Sequence, residues 1–463
     1  MPLLSARVFF ALKHAFAHVF LYLVPRLLSG LLSRWPRRIL SWLGLRPAPE
    51  DERKVTVITN DSDVHHLRER FALPAPDQPH MRYTSPLYNG HIETVLAGLR
   101  SGPHVSFQRE LVEADGGQHV NMDFLYPPPP DTATASVTEG KAPHAKGIFF
   151  VVPGLLNAST TNYCCHFADV ATRSGFAVCV LNCRGMGTTP LEVPRLFSAT
   201  FTEDIRYCLH QYLRPEQVHA RLGTPEQVPL IAVGFSLGGV TLIKYLGEQG
   251  LAAAEREKKE HLPEGSVAPD TPISALFTVT SPYDLVNSDK MCDKAAYRYL
   301  YEKSFAVGLR KYMKHNRAML TRLPNVDAKW LFEGPNPGVD RISSIRQFDI
   351  FINASHNGFA TPQEYYAAAQ PFTWLPRCRT PVLCIGDRND VVAGLFIPDA
   401  EWRALVERNP HVVYVCFPVG GHLGFVGSIA AEWRGDATEA EQLVLNASSQ
   451  FCRSSAAAAK KKK

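Results

Sequence analysis

The residue best suited to chemistry is a serine between glycines, in the stretch "GFSLGG" at Gly234–Gly239. An apolar run, Val228–Val233, comes before it and a segment with helical periodicity comes after it. Ser236 should therefore lie on a tight turn between a strand and a helix, where Gly234 and Gly238 leave room for the two elements to approach. This context predicts a nucleophile. The alternative is a glycine-rich turn whose serine has no chemical role.

Two later apolar runs end in residues that could activate this serine. A serine hydroxyl needs a base, and on a strand–turn–helix scaffold the acid precedes the histidine in the chain. After "PVLCIG" come Asp387, which ends the run, and Asp390 three residues later. The loop position favours Asp390 as the acid and leaves Asp387 to cap the loop through backbone amides. His422 follows the next apolar run, after two glycines that let its imidazole turn inward.

Backbone amides should stabilise the oxyanion that forms when the serine attacks a carbonyl. The amide of Leu237 opens the helix after the serine. The amide of Leu155, which follows Gly154 in "VVPGLLNAST", is the first choice for the second donor; the alternative there is a plain Pro-Gly turn. This chemistry uses a serine, an acid, a histidine and two amides, so we expect neither a metal nor an organic cofactor.

Six nearly continuous apolar runs indicate how these loops are held. Such runs are typical of strands buried on both faces of a parallel sheet, with helices in the intervals. We therefore predict an α/β fold with a mostly parallel central sheet flanked by helices, over residues 81–452, and a helical cap insertion at roughly 285–370. The six predicted strands are Gly147–Pro153, Phe176–Asn182, Val228–Val233, Ser274–Thr280, Pro381–Ile385 and His411–Phe417.

The charge of the chain is concentrated at its ends. The formal net charge is +5, but residues 1–49 contain Lys and Arg without any Asp or Glu, and the last four residues are all Lys. A basic face on the folded body is what nucleic-acid binding requires, and the body is acidic on balance, so we expect no nucleic-acid partner. Residues 49–80 are polar and Pro-dotted, which predicts a linker, and residues 453–463 are predicted to be a flexible Ala/Lys tail.

The first 48 residues form a separate basic segment. Polar residues recur there at intervals of three, four or seven, opposite Phe, Leu, Val and Trp, which predicts a basic amphipathic helix that associates with a membrane surface. We therefore expect a membrane localisation, such as the endoplasmic reticulum. A mitochondrial presequence is one alternative, and packing against the folded domain is another.

Seven motifs resemble those of the α/β-hydrolase superfamily, and more narrowly of the abhydrolase-domain proteins 1, 2 and 3 with their YheT-like and Emb8-like relatives. The similarity runs from about Tyr83 to Val426. In chain order the motifs are "SPLYNGHIETVLAGL", "VVPGLLNAST", "LNCRGMGTTPL", "ATFTEDIRYCL", "GFSLGGVTLIKYLGE", "SSIRQFDIFINASHNGFATPQEYY" and "GGHLGF". Family members usually have Asn where this chain has Val240, inside the helix, and Asp where it has Asn389.

This resemblance implies a Ser236, Asp390, His422 triad, with Leu155 and Leu237 as oxyanion amides. It also implies hydrolysis of esters or acylglycerols and an N-terminal membrane anchor. We therefore expect a membrane-associated serine hydrolase of lipid esters; the alternatives are an acyltransferase on the same triad, or a catalytically silent lipid-binding or scaffold protein.

Three further residue sets in these motifs are expected to be structural. Arg184 and the Arg346–Asp349 stretch suggest buried Arg–Asp pairing that ties the cap to the core. His91 is expected to be a structural histidine near the sheet.

Overall fold

The structure is a computed structural model, and the segment predicted to bind a membrane, residues 1–48, lies outside the part that it describes. No helix in the described part is long and apolar enough to cross a membrane. The described residues are 54–74, 83, 85, 89–100, 102–128, 145–224, 227–294, 297–394 and 396–462.

One nine-stranded sheet forms the centre of the molecule. Its strand order is β1-β9-β8-β7-β6-β4-β5-β3-β2, in which β4 to β9 run parallel while β1, β2 and β3 pair antiparallel at the two edges. The strands are β1 Thr56–Ile58, β2 Gln108–Glu113, β3 His119–Leu125, β4 Ile148–Val152, β5 Ala177–Asn182, β6 Leu230–Phe235, β7 Ile273–Val279, β8 Val382–Asp387 and β9 Val412–Phe417.

The six predicted strands are the six parallel ones, each displaced by two residues or fewer at either end, with every residue of β4, β5, β6, β8 and β9 buried. Their continuous apolar sequences therefore reflect burial on both faces, as predicted. The mostly parallel sheet flanked by helices confirms the predicted α/β fold.

Helices cover both faces of the sheet. The α-helices are α1 Leu67–Arg70, α2 Gly90–Leu99, α3 Asn162–Arg173, α4 Glu203–Tyr212, α5 Pro215–Leu222, α6 Leu237–Glu260, α7 Leu285–Asp289, α8 Lys303–His315, α9 Arg317–Leu320, α10 Ala328–Phe332, α11 Gly338–Arg341, α12 Ile345–Phe348, α13 Pro362–Ala369, α14 Pro371–Trp374, α15 Asp399–Arg408, α16 Ile429–Arg434 and α17 Glu439–Lys462. Residues of α4, α5, α6 and α15 pack in the core on one face, and residues of α1, α3 and α17 pack in the core on the other.

The cap is the helical segment between β7 and β8. It comprises α7 to α14, with π-helical turns at Arg298–Glu302 and Asp349–Ala354 and 3₁₀ turns at Lys290–Asp293 and Leu375–Arg377. Its inner side packs over the carboxyl end of the sheet, where the loops after β4, β6 and β8 also lie. This placement makes the cap the roof of any site at that edge.

The two segments expected to flank the domain differ from the sequence-based expectation. Within the predicted linker, residues 54–74 form β1 and α1, and Ile58, Leu67 and Phe71 are buried against the body. The segment is not a linker over this range, because its short apolar groups pack on the edge of the sheet and on the neighbouring helices. Helix α17 continues to Lys462, through most of the tail expected to be flexible, because Ala and Lys are strong helix formers that extend a helix once it is docked.

Candidate active site

Ser236 lies on the sharp turn between β6 and α6. Its φ is 51° and its ψ is −119°, a backbone conformation that a residue with a side chain adopts only under strain. The amide of Ser236 donates to the carbonyl of Val279 at 3.0 Å, which anchors the turn to the neighbouring strand. A side chain at Gly238 would overlap the carbonyl of Val152, so only glycine permits this close approach. The predicted strand–turn–helix setting of the serine is therefore present.

The structure brings Ser236, His422 and Asp390 together. His422 Nε2 lies 3.1 Å from Ser236 Oγ, and His422 Nδ1 lies 3.0 Å and 3.2 Å from the two carboxylate oxygens of Asp390. The side chains of His422 and Asp390 are only 12% and 9% exposed. A continuous hydrogen-bonded chain thus runs from the hydroxyl to a carboxylate that is largely shielded from water.

Asp390 and Asp387 have different surroundings, which separates their roles. One carboxylate oxygen of Asp390 also accepts from the amides of Val392 and Ala393 at 2.8 Å each, so its loop holds the group in place. Asp387 instead accepts from the amides of Asn389 at 3.0 Å and Gly421 at 3.2 Å. Burial and the nearby charge of Asp390 raise the pKa of Asp387 well above its usual value. Asp387 thus caps the loop, as expected.

The loop that carries His422 is strained and is braced by helix α2. Its backbone has positive φ at Gly421, Leu423 and Phe425, of 56°, 67° and 49°, and the two non-glycine residues pay a cost of about 1–2 kcal/mol each for this conformation. Thr94 of α2 accepts from the amide of His422 at 2.8 Å and donates to the carbonyl of Gly90 at 2.7 Å.

Two charged residues of the same region complete the brace. The buried carboxylate of Glu93 accepts from the amide of Val426 at 2.9 Å, and burial raises its pKa to about 7. Arg100, which follows α2, donates to the carbonyl of Gly424 at 2.9 Å and pairs with Glu432 at 2.8 Å. Helix α2 therefore fixes several backbone groups of the histidine loop.

Sequence reasoning missed these bracing residues. A glutamate and a threonine side by side in an otherwise apolar helix were the available indication, since polar groups at buried positions need specific partners.

The two residues proposed to supply oxyanion amides both lie beside the serine. Leu155 and Leu237 line the same cavity as Ser236. A Cβ added to Gly154 would stand 3.2 Å from the Cβ of Ser236, so the turn after β4 passes directly against the serine. The amide of Gly154 itself donates to the Tyr163 hydroxyl at 2.8 Å. Because the amide of Gly154 is already bonded, the amide of the next residue, Leu155, is the candidate oxyanion donor from this turn.

An apolar cavity lies between the sheet edge and the cap, with Ser236 on its wall. Its volume is about 1050 Å³, including the space at its open mouth. Most of its lining is aliphatic or aromatic. From the cap, it is lined by Leu285, Tyr297, Phe305, Leu309, Tyr312, Phe348, Tyr365 and Tyr366. Such a space suits a long apolar group whose reacting end reaches the serine.

Arg184 and Arg346 both form ion pairs with aspartates, but neither pair joins the cap to the core. Arg184 is buried and bonds Asp204, and both residues lie outside the cap. Arg346 bonds Asp289 and Asp293, which belong to the cap itself. These pairs hold the core and the cap separately, so the expectation that they tie one to the other is wrong.

The remaining residues singled out from the sequence have structural contacts. The ring of His91 bonds the Tyr301 hydroxyl of the cap, with Nδ1 at 2.9 Å. Val240 is buried in α6 and packs in a small cluster with Ala199 and Tyr365. Among the described residues, no three His, Cys, Asp or Glu side chains are placed to hold a metal ion.

No family model matches this chain. The embryogenesis-associated protein EMB8 of Picea glauca is 29% identical over 73% of this chain and 65% of its own length. The phospholipase ABHD3 of Homo sapiens is 26% identical over 74% of this chain and 72% of its own. The medium-chain fatty acid ethyl ester synthase/esterase 2 of Saccharomyces cerevisiae is 30% identical over 61% of this chain and 59% of its own length.

Among solved structures, a thermostable carboxyl esterase from Bacillus coagulans covers 74% of this chain and 97% of its own, with 16% identity and a TM-score of 0.39. That score is too low to add to the fold assignment, which rests on the strand order. The order of strands β2 to β9, the serine turn and the similarity to EMB8 and ABHD3 agree with one another. The chain has the α/β-hydrolase fold, and its sequence is similar to those of the abhydrolase-domain proteins.

Proposed function

We propose that this protein is a serine hydrolase that cleaves carboxylic esters, with acylglycerols or other lipid esters as its substrates. One observation carries the proposal: the hydrogen-bonded chain from Ser236 through His422 to Asp390 reaches the wall of an apolar cavity. The polypeptide covers 65% of the length of its spruce relative and 72% of the length of its human relative. The human relative is named as a phospholipase.

The first half of the reaction is acyl transfer to the serine. His422 Nε2 removes the proton of Ser236 as Oγ attacks the ester carbonyl, and Asp390 stabilises the imidazolium that forms. The carbonyl oxygen gains the negative charge and is held by the amides of Leu155 and Leu237. Collapse of the intermediate breaks the ester bond, and His422 passes its proton to the departing alcohol.

The second half regenerates the serine. Water loses a proton to His422 and attacks the acyl-enzyme, and the carboxylic acid leaves as Ser236 regains its proton. The burial of His422 and Asp390 strengthens each electrostatic contact on this route because little water screens it. The five residues of this proposal perform both halves with their own side chains and amides.

The form of the cavity supports a lipid ester. Binding of an acyl chain is favoured by about 0.8 kcal/mol for each methylene that leaves water. The aromatic and aliphatic lining of the cavity offers such an apolar environment. Polar lining residues such as Ser198 and Asn353 are fewer than the apolar ones, so an ester with a long apolar chain fits this lining better than a hydrophilic ester does.

Association with a membrane is part of the proposal and depends on residues 1–48, whose basic amphipathic pattern suits an anionic interface. A fusion of these residues to a fluorescent protein tests it. A reticular or other membrane pattern is the expected result. A diffuse cytosolic distribution would contradict the assignment, and import into mitochondria would support the presequence instead.

Transfer of the acyl group to an alcohol is a second candidate, favoured by the yeast relative whose name includes both synthase and esterase. The same acyl-enzyme would form, and an alcohol would replace water in the second half. Product analysis with labelled ester in the presence and absence of added ethanol separates the two. A product dominated by free acid supports hydrolysis, and a product dominated by ethyl ester supports transfer.

Labelling with a fluorophosphonate probe tests whether the protein is an enzyme at all. The probe should label the wild type and leave the folded Ser236→Ala variant unlabelled, since only an activated serine reacts at a useful rate. Folded wild-type protein without any label would point to a silent lipid-binding or scaffold protein.

A further inference from the structure

The outer side of the cap has a composition that the hydrolase assignment does not explain. The segment formed by the π-turn Arg298–Glu302 and helix α8 lines the cavity with Phe305, Leu309 and Tyr312 on its inner side. Its opposite side is exposed, so this one segment separates the cavity from the surroundings of the protein.

Large apolar side chains lie on that exposed side. Tyr299, Leu300 and Val307 are 68%, 58% and 59% exposed, and apolar side chains grouped on a surface mark interaction sites more often than single ones do. Positions 299, 300, 303, 307, 311 and 314 follow one another at helical spacing, so their side chains share one face. We call these six residues the outer cap face.

Cations complete this face. Lys303, Lys311 and Lys314 are exposed on it. The acid in the segment 297–315 is Glu302, which is buried. From the neighbouring elements, Asp340 pairs with Lys314 at 2.6 Å, and both side chains of that pair are more than half exposed. The face therefore combines apolar groups with net positive charge.

A second cap segment repeats the two-sided arrangement. The π-turn Asp349–Ala354 lines the cavity with Asp349 and Asn353 and exposes Ile350 and Phe351, which are 40% and 42% accessible. Phe351 packs on Trp330 with ring centroids 4.5 Å apart. Exposed apolar surface thus occurs on more than one element of the cavity roof.

We propose that the outer cap face binds the surface of an anionic phospholipid bilayer. Apolar side chains enter the interface while lysines on the same face meet the lipid phosphates and anionic headgroups, and both contributions are needed because neither three apolar residues nor three lysines bind strongly alone. The charge favours a membrane over an apolar protein partner. This site is distinct from residues 1–48, and it places the cavity roof against the lipid.

A local fluorescence measurement tests the site in the full-length protein. An environment-sensitive fluorescent amino acid replaces Val307 or, as a matched control, Leu111 on β2, which is equally exposed at 59%. With vesicles that contain phosphatidylserine, the emission should shift to the blue at position 307 and stay unchanged at position 111. The probe reports its own surroundings, so tethering through residues 1–48 does not produce the shift. No shift at 307, or an equal shift at 111, would overturn the proposal.

The charge requirement has its own comparison. Lys303→Gln, Lys311→Gln and Lys314→Gln together should raise the vesicle concentration that gives half of the shift by at least about tenfold. As a control, Arg256→Gln, Lys258→Gln and Lys259→Gln remove three exposed cations from the end of α6 and should change it by less than about twofold. Equal effects of the two variants would contradict a specific face. Neither measurement needs turnover, so they stand apart from the test of the serine.

Discussion

Thr94 accepts a hydrogen bond from the backbone amide of His422 at 2.8 Å, which links a helix near the start of the domain to the histidine loop near its end. The hydroxyl of Tyr301, in the cap, bonds His91 of the same helix. The loop that presents the imidazole is thus positioned by helix α2, which itself contacts the cap. Thr94 is a positioning residue in this account, because it acts through His422.

Replacement of Thr94 by valine keeps the shape of the side chain and removes the acceptor. The amide of His422 then lacks a partner, a loss of about 1–2 kcal/mol that lets the strained loop relax. We expect kcat/KM for a soluble ester to fall about tenfold, mostly in kcat. Thr94→Ser should recover most of the loss. Unchanged kinetics for the valine variant, with the fold intact by circular dichroism, would show that the histidine loop keeps its conformation without the hydrogen bond to Thr94.

The two aspartates near His422 allow a paired test. Asp390→Asn should lower kcat by about four orders of magnitude, because the amide leaves the imidazolium unpaired and favours the wrong tautomer. Burial and the charge of Asp390 raise the pKa of Asp387 and so disfavour its charged form, and His422 bonds Asp390 instead. Asp387→Asn should therefore cost less than about tenfold. Steady-state kinetics on a soluble ester measure both variants, and the reverse order would assign the acid to Asp387.

Glu93 predicts a pH dependence of stability. Its folded pKa of about 7 lies above its ordinary value of 4.5, so the folded protein holds this proton more tightly than the unfolded chain does. The stabilisation from the protonated group is complete below about pH 4.5 and is lost as the pH rises through about 7. The Glu93→Gln variant has no such loss.

Thermal unfolding of both proteins at about pH 5 and about pH 8 measures the effect. Between these two pH values, the free energy of unfolding of the wild type should fall by about 2 kcal/mol more than that of Glu93→Gln. The comparison cancels the titration of groups common to both proteins. A difference in Tm that is the same at both pH values would mean that Glu93 titrates normally.

The strained turn of Ser236 predicts an order of stability between two inactive variants. Both Ser236→Gly and Ser236→Ala lack the hydroxyl, but only glycine adopts a φ of 51° with a ψ of −119° without strain. The glycine variant should therefore be more stable than the alanine variant by about 1 kcal/mol or more, against the usual preference for alanine. Calorimetry of the two variants checks this, and a more stable alanine variant would exclude strain at the turn.

The parts of this structure that the sequence predicts are those with a local cause. The strands β4 to β9 are nearly continuously apolar because both of their faces are covered, and Gly234 and Gly238 mark the turn that crowds strand against helix. The positions of Asp390 and His422 follow from the same logic, since residues directly after parallel strands meet at one sheet edge. The structure places both next to Ser236.

Features that depend on contacts between distant segments were not predicted. Strand β2 has a mostly exposed, charged sequence, and β1 is only three residues long, so neither has a strong pattern of its own. The brace from Thr94 to His422 joins residues 328 positions apart, and its partners are backbone groups that leave no trace in the sequence. The same holds for Arg184, whose partner is Asp204 and not a cap residue.

The most direct test of the central claim is the covalent intermediate on Ser236. A slowly hydrolysed acyl ester is mixed with the full-length protein, and the reaction is quenched with acid within the first turnovers. The protein is digested, and the mass of the peptide that contains Ser236 is measured by mass spectrometry. We predict the added mass of one acyl group on Ser236 in the wild type, and a much slower accumulation of the same added mass in Asp390→Asn. Ester turnover that persists in Ser236→Ala, or an acyl group found on another residue, would contradict this prediction.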